Sequence, residues 1–172
     1  HKQFSISLAL AQDLIELEKW GEAKELLDSL QRNNPSTPVF WQNRFRQWAG
    51  MNEMDSASKT LKTAVKKVSD NHKDTFNNWH ELFLLDRAQV ANSELNSSFA
   101  NKLVKPINKE SCNYPFKLFI QANAALVDED FEKCAELSTE GLLNNPNFAD
   151  LYFPLLEKSL LSSGRYERTI PI

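Results

Sequence analysis

The sequence predicts an all-α fold, an α-solenoid of antiparallel helix hairpins, and three observations carry that prediction. Short helix-opening segments recur at a fixed spacing, one helix ending is written twice, and 4 glycines in 172 residues are too few for a turn-rich sheet protein. The opening segments are "KWGEAKELL", "MNEMDSASKTL", "DEDFEKCAEL" and "SSGRYERTI", each a polar turn running into a helix start. Aligned after the turn, they superimpose Ala23, Ala57, Cys134 and Arg168, 34 residues apart in the first pair and 34 in the last. The interval of 77 between Ala57 and Cys134 holds one regular repeat and one of 43 residues, about nine longer, with Ala91 expected as its small residue. The doubled ending is "LLDSLQRNNP" at 26–35 and "LSTEGLLNNP" at 137–146. Proline cannot continue a helix, so both endings are stops.

Taken in order, helices are expected at 4–18 and 21–33, closed by Pro35, and at 38–49 and 54–68, where Trp41 and Trp48 stand seven apart on one face. A third pair is expected at 73–87 and 89–104. An extra linker "VKPINKESCN" at 104–113 follows, with Pro106 as its breaker. The fourth pair spans 114–127 and 130–143, closed by Pro146, and a last helix spans 148–162. Small residues at Ala23, Ala57 and Cys134 let paired helices approach closely, while the tryptophans fill the space between hairpins. The repeats then run at about 4–37, 38–71, 72–114, 115–148 and 149–172 within a single domain, the last cut short. The alternative is an ordinary helical bundle with accidental spacing.

A 34-residue period with an aromatic early in the first helix, a small residue early in the second and a closing proline resembles the tetratricopeptide-repeat superfamily. Trp41, Trp48, Ala57, Leu61 and Ala64 carry the resemblance in the second repeat; Ala23, Leu27 and Pro35 carry it in the first, and Ala122, Cys134, Gly141 and Pro146 in the fourth. Arg44 and Phe45 stand where the family has Leu-Gly, Ser69 where it has proline, and Arg168 at a small-residue position. The resemblance implies a right-handed superhelix whose first helices line a concave surface. Carried over, that surface takes Gln42, Arg46 and Ala49 from repeat two and Phe76, His80 and Phe83 from repeat three. Phe116, Phe119, Asn123 and Leu126 come from repeat four, and Phe153 and Glu157 from repeat five. The Lys/Asn clamp of the family's chaperone-binding members is replaced by Leu8, Gln12, Gln42, Phe76 and His80, so an apolar helix or extended segment held in aromatic pockets is the expected partner. The competing reading makes several of these phenylalanines packing between hairpins.

Stretches such as "NNWHELFLLDRA" and "NYPFKLFIQANAALVDEDFEKCAEL" are similar to repeats of the lipopolysaccharide assembly protein B family, which implies a cytoplasm-facing adaptor in bacterial envelope lipid regulation. "FWQNRFRQWAGMNEMDSASKTLKTAV" also resembles the half-tetratricopeptide family of RNA-processing scaffolds.

Catalytic chemistry is hard to find. "HELFL" at 80–84 has Leu84 where a zinc-protease motif needs its second histidine, and no phosphate loop or nucleophile elbow is present. Cys112 and Cys134 stand 22 apart with no second pair, so reduced thiols without a metal knuckle are expected, Cys134 packed at a hairpin crossing. Clustered carboxylates, Glu22, Glu25 and Asp28 or Asp128, Glu129 and Asp130, sit near helix starts, where the macrodipole favours them. Lys59, Lys62, Lys66 and Lys67 line a helix as a solvated face or a basic contact surface. Asn96 opens an "NSS" sequon. A net charge of −3 gives no global attraction to nucleic acid, and no apolar run reaches the ~18 residues of a membrane span. The expectation is a non-catalytic protein-binding scaffold without cofactor or metal, cytoplasmic or cytoplasm-facing. Its alternatives are an RNA-complex scaffold and the regulatory piece of a larger enzyme. Without an initiator Met and ending just after a helix start, the chain reads as a fragment.

Overall fold

A computed structural model describes residues 2–33 and 35–164; His1, Asn34 and residues 165–172, Arg168 among them, lie outside the described residues. Among those described, every regular element is helical. The α-helices are α1 (Lys2–Glu16), α2 (Trp20–Gln31), α3 (Pro38–Gly50), α4 (Met54–Lys67), α5 (Asp70–Ser93), α6 (Ser97–Val104), α7 (Tyr114–Val127), α8 (Phe131–Asn144) and α9 (Ala149–Ser162), and a 3-10 turn at Pro146–Phe148 precedes α9. Outside the third pair, observed and expected boundaries agree within two residues.

The contacts group into two compact units, residues 1–80 and 81–172. In the first, α1 packs on α2, α2 on α3 and α3 on α4; in the second, α6 packs on α7, α7 on α8 and α8 on α9, so neighbours in sequence are neighbours in space.

Four of the turns between helices are built alike. Glu18, Asn52, Leu95 and Glu129 each take the left-handed conformation, with φ of 56°, 59°, 60° and 58°. The next residue's N–H (Lys19, Glu53, Asn96, Asp130) then reaches back to the carbonyl of Leu14, Trp48, Ala91 or Ala125 at 2.8–2.9 Å. That is the six-to-one bond of a Schellman turn, which satisfies a carbonyl the helix end would otherwise orphan. Five residues beyond each left-handed position stand Ala23, Ala57, Ala100 and Cys134, all with zero exposure. Four residues further come Leu27, Leu61, Val104 and Ser138, again all at zero.

This places the third small residue at Ala100, not Ala91. The expected break between 87 and 89 does not occur: α5 runs 24 residues without interruption. Nothing in "DRAQVA" stops a helix, whereas Asn96 caps the next one by accepting from the Phe99 amide at 3.2 Å. The nine extra residues therefore lengthen the helix before the turn. Ala91 is still interior, sharing a core cluster with Leu85, Ala88, Ala100, Val104, Ile107 and Ile120.

Unit one is tied by Trp41, whose indole N–H donates to the Pro35 carbonyl at 3.0 Å, and by Arg44. The Arg44 guanidinium lies 4.7 Å from the Trp48 ring centre, donates to Gln47 Oε1 at 3.1 Å and pairs with Asp28 on α2, which also accepts from Lys24 at 2.9 Å. Arg44 and Trp48, where the resemblance expects apolar packing, thus form a cation–π and ion-pair tie between α2 and α3. In unit two Cys134 packs with Ala122, Ala125 and Leu155. Burial pushes its thiol pKa up, as for a small apolar residue of the interior.

Candidate functional site

The surface residues assigned from sequence separate into exposed and interior groups. On α3, Gln42 and Ala49 are half-buried and Arg46 is exposed, donating to Glu16 of α1 at 2.8 Å. The hydrogen bond and charge of Arg46 hold the Glu16 carboxyl below its ordinary pKa. Phe76 is 1% exposed and edge-on to Trp79 at 5.3 Å between ring centres. It is core of unit one and offers no contact surface. His80 is partly buried, its Nε2 at 3.2 Å from the Ser58 hydroxyl.

Moving the small residue to Ala100 also moves the register of repeat three. The positions equivalent to Gln42, Arg46 and Ala49 become Leu85, Gln89 and Asn92, and Phe76, His80 and Phe83 are no longer their counterparts. Leu85 and Asn92 are buried, and the Asn92 amide donates to the Ile120 carbonyl at 2.9 Å.

In unit two, Phe116 packs edge-on against Phe148 at 4.9 Å and Phe119 against Tyr152 at 6.3 Å. Both flank the core cluster around Ala100, and Phe119 also flanks the one around Cys134. These two behave as interior packing. Asn123 turns back on its own helix, donating to the Phe119 carbonyl at 3.0 Å, and Leu126 leans on the Cys134 cluster. Phe83 lies beside Arg87, 5.8 Å from ring centre to guanidinium. Phe153 is different: it is 58% exposed on α9, and the exposed Glu157 stands one turn on.

Two polar clefts escaped the sequence reading, both in unit two. One, of about 370 Å³, is lined by Lys109, Cys112, Tyr114, Glu140, Asn144 and Asn145 among others. Tyr114 donates to Glu140 Oε1 at 3.0 Å there, and burial followed by that carboxylate raises its pKa. The linker forming its wall is pinned from inside: Glu81 accepts from Ser111 and from the Asn113 amide, and Lys117 donates to the Ile107 carbonyl at 2.6 Å. The other, of about 330 Å³, lies between Asn101, Gln121, Asp128, Asp130 and Lys133. Only the clustering of Asn, Ser and Lys in "KPINKESCN" hinted at the first. Among the described residues, no group of three or more His, Cys, Asp or Glu side chains could hold a metal ion. No helix among them is long and apolar enough to cross a membrane. Lys59, Lys62, Lys66 and Lys67 are all exposed along α4.

The fold defines a class: among the described residues, an all-helical protein whose neighbouring helices pack in sequence order within each unit. Comparison with protein-family models, curated proteins and solved structures yields no match.

Proposed function

We propose that this chain is a protein-binding scaffold, contacting a helix or extended segment of its partner through first-helix side chains. The observation that carries the reading is Phe153, a large aromatic side chain 58% exposed on α9 with the exposed Glu157 one turn away. Aromatic side chains are enriched at protein interfaces relative to the rest of the surface, and a large ring is the kind of anchor a partner pocket takes up. The test is affinity capture with paired baits, the chain itself and a Phe153→Asp/Glu157→Lys variant of equal helicity by circular dichroism. A partner retained by the first and lost by the second supports the reading; equal retention counts against it.

A second reading, an RNA-complex scaffold, draws on Lys59, Lys62 and Lys66, exposed on one face of α4 and in no ion pair among the described residues. It requires RNA retention that weakens steeply with salt and disappears when the three become glutamate. No gel shift at low salt removes it.

A further inference from the structure

Helix α1 is apolar on two sides. Leu8, Ala11 and Ile15, which are 8%, 0% and 1% exposed, form the buried side of a helix that packs on α2 and α3. The other side carries Ile6, Leu10 and Leu17, which are 69%, 51% and 68% exposed. At about 100° per residue these three, with the exposed Gln3 and Asp13, fall within about 80° of the helix circumference, centred opposite Leu8. Leu17 follows the last residue of α1, yet its N–H still donates to the Asp13 carbonyl at 3.0 Å, so the stripe continues through it. Gln3, Ile6, Leu10, Asp13 and Leu17 alternate steps of three and four residues. That is the narrow seam of a helix pair rather than the wider face by which a helix joins a globular core.

We infer that this seam of α1 pairs with the same seam of a second copy of the chain, antiparallel about a two-fold axis. An interface of that symmetry needs a surface complementary to itself, and the stripe has that property in the antiparallel orientation. With Ile6 set against Leu10 of the second copy, Gln3 falls against Asp13 of the second copy, and the axis repeats both pairs. Apolar side chains then meet in the middle, and at each end an amide donor meets a carboxylate. A parallel pairing would instead set Asp13 against Asp13, two like charges inside a seam that excludes water. The antiparallel pair also aligns opposite ends of the two helix dipoles. A foreign helix would have to bring a matching apolar pair and an amide at the right spacing; the second copy already has both. Area sets the strength. The exposed parts of Ile6, Leu10 and Leu17 sum to on the order of 400 Å² on each copy, about half of what each partner of a stable complex buries, so the dimer is weak and reversible. The seam does not include Phe153, so this inference and the scaffold reading built on α9 stand or fall apart.

The test is sedimentation equilibrium of the whole chain between about 1 μM and 1 mM, where a monomer–dimer equilibrium with a dissociation constant on the order of 100 μM is expected. Leu10→Asp should raise that constant about tenfold or more, with the circular dichroism spectrum unchanged at the lowest concentration because Leu10 is already exposed in the single chain. Gln3→Glu alone should weaken the dimer about threefold, and Gln3→Glu with Asp13→Lys should restore it, since in the antiparallel pair every new glutamate meets a new lysine. The inference is overturned if the chain stays monomeric to about 1 mM, or if the dimer survives Leu10→Asp unchanged. It is equally overturned if the double charge variant remains as weak as Gln3→Glu, the result a parallel pair would give, or if Phe153→Asp rather than Leu10→Asp dissolves the dimer. A chain that is only monomeric but captures another protein through Leu10 would make a foreign helix the occupant and overturn it too.

Discussion

Replacing Gly141 by alanine sets helix propensity against close packing, and the structure decides which wins. In the interior of α8, alanine is favoured over glycine by about 1 kcal/mol where space allows. Space does not allow it: a Cβ at Gly141 would stand 2.2 Å from Tyr152 Cζ and 2.3 Å from Cε1, against the ~3.5 Å of a comfortable contact. The ring cannot swing aside, because Tyr152 has zero exposure, is edge-on to Phe119 and donates its hydroxyl proton to the Pro115 carbonyl. Overpacking of this kind costs up to about 3 kcal/mol. Loss of the tyrosine hydrogen bond adds about 1. Set against the propensity gain, the net destabilisation is about 2 to 3 kcal/mol, or roughly 30- to 160-fold in the opening equilibrium. Hydrogen exchange of peptides covering 131–144 and 149–162 measures it directly, with protection expected to fall by that factor. Gly21→Ala is the control, since nothing lies within 4 Å of a Cβ there and a gain of a few tenths of a kcal/mol is expected. Increased protection in Gly141→Ala would refute the packing argument for α8 and α9.

Removing the Arg44 side chain as Arg44→Ala should cost unit one about 3 kcal/mol in urea unfolding followed by tryptophan fluorescence. Arg44→Lys should rescue it poorly, because the planar contact with Trp48 is lost. Partial burial pushes the Asp28 carboxyl up, but hydrogen bonds from Lys24 and Arg44 and their charges outweigh it and hold the pKa below its ordinary value. The stabilisation from Asp28 is therefore complete above the unfolded carboxyl pKa and lost as pH falls through the folded one, and Asp28→Asn should flatten the acid limb below about pH 4. Burial, then Glu140, push Tyr152 up to about 12, so its contribution is present below the unfolded value near 10 and lost as pH rises through about 12. Ultraviolet titration should show that late tyrosine, and Tyr152→Phe should abolish it. Phe76→Asp should unfold unit one while Phe153→Asp leaves the circular dichroism spectrum intact, since one ring is 1% exposed and the other 58%.

What was legible in the sequence is what local chemistry dictates, and what was not depended on a choice between equally good local signals. Pro35 and Pro146, the spacing of Ala23, Ala57 and Cys134, and the polar turns before them located most helices because each acts within a turn or two of itself. The third hairpin offered two alanines nine residues apart, Ala91 and Ala100, and strict periodicity favours the wrong one. Helix propagation overrides that count: α5 runs on until Leu95 takes the left-handed turn and Asn96 caps the next helix. The "NSS" at Asn96 reads equally as a sequon and as a helix start. The surface follows from the same register, because counting back from Ala91 puts Phe76, His80 and Phe83 on it. Counting from Ala100 puts Leu85 and Asn92 there instead, both interior, which leaves repeat three without the aromatic face expected of it. Its apolar surface lies at Leu95 and Phe99, positions that repeat grammar treats as polar. Only the aligned turns make the substitution visible, because an exposed leucine in isolation is unremarkable and becomes informative when three equivalent positions carry Glu18, Asn52 and Glu129.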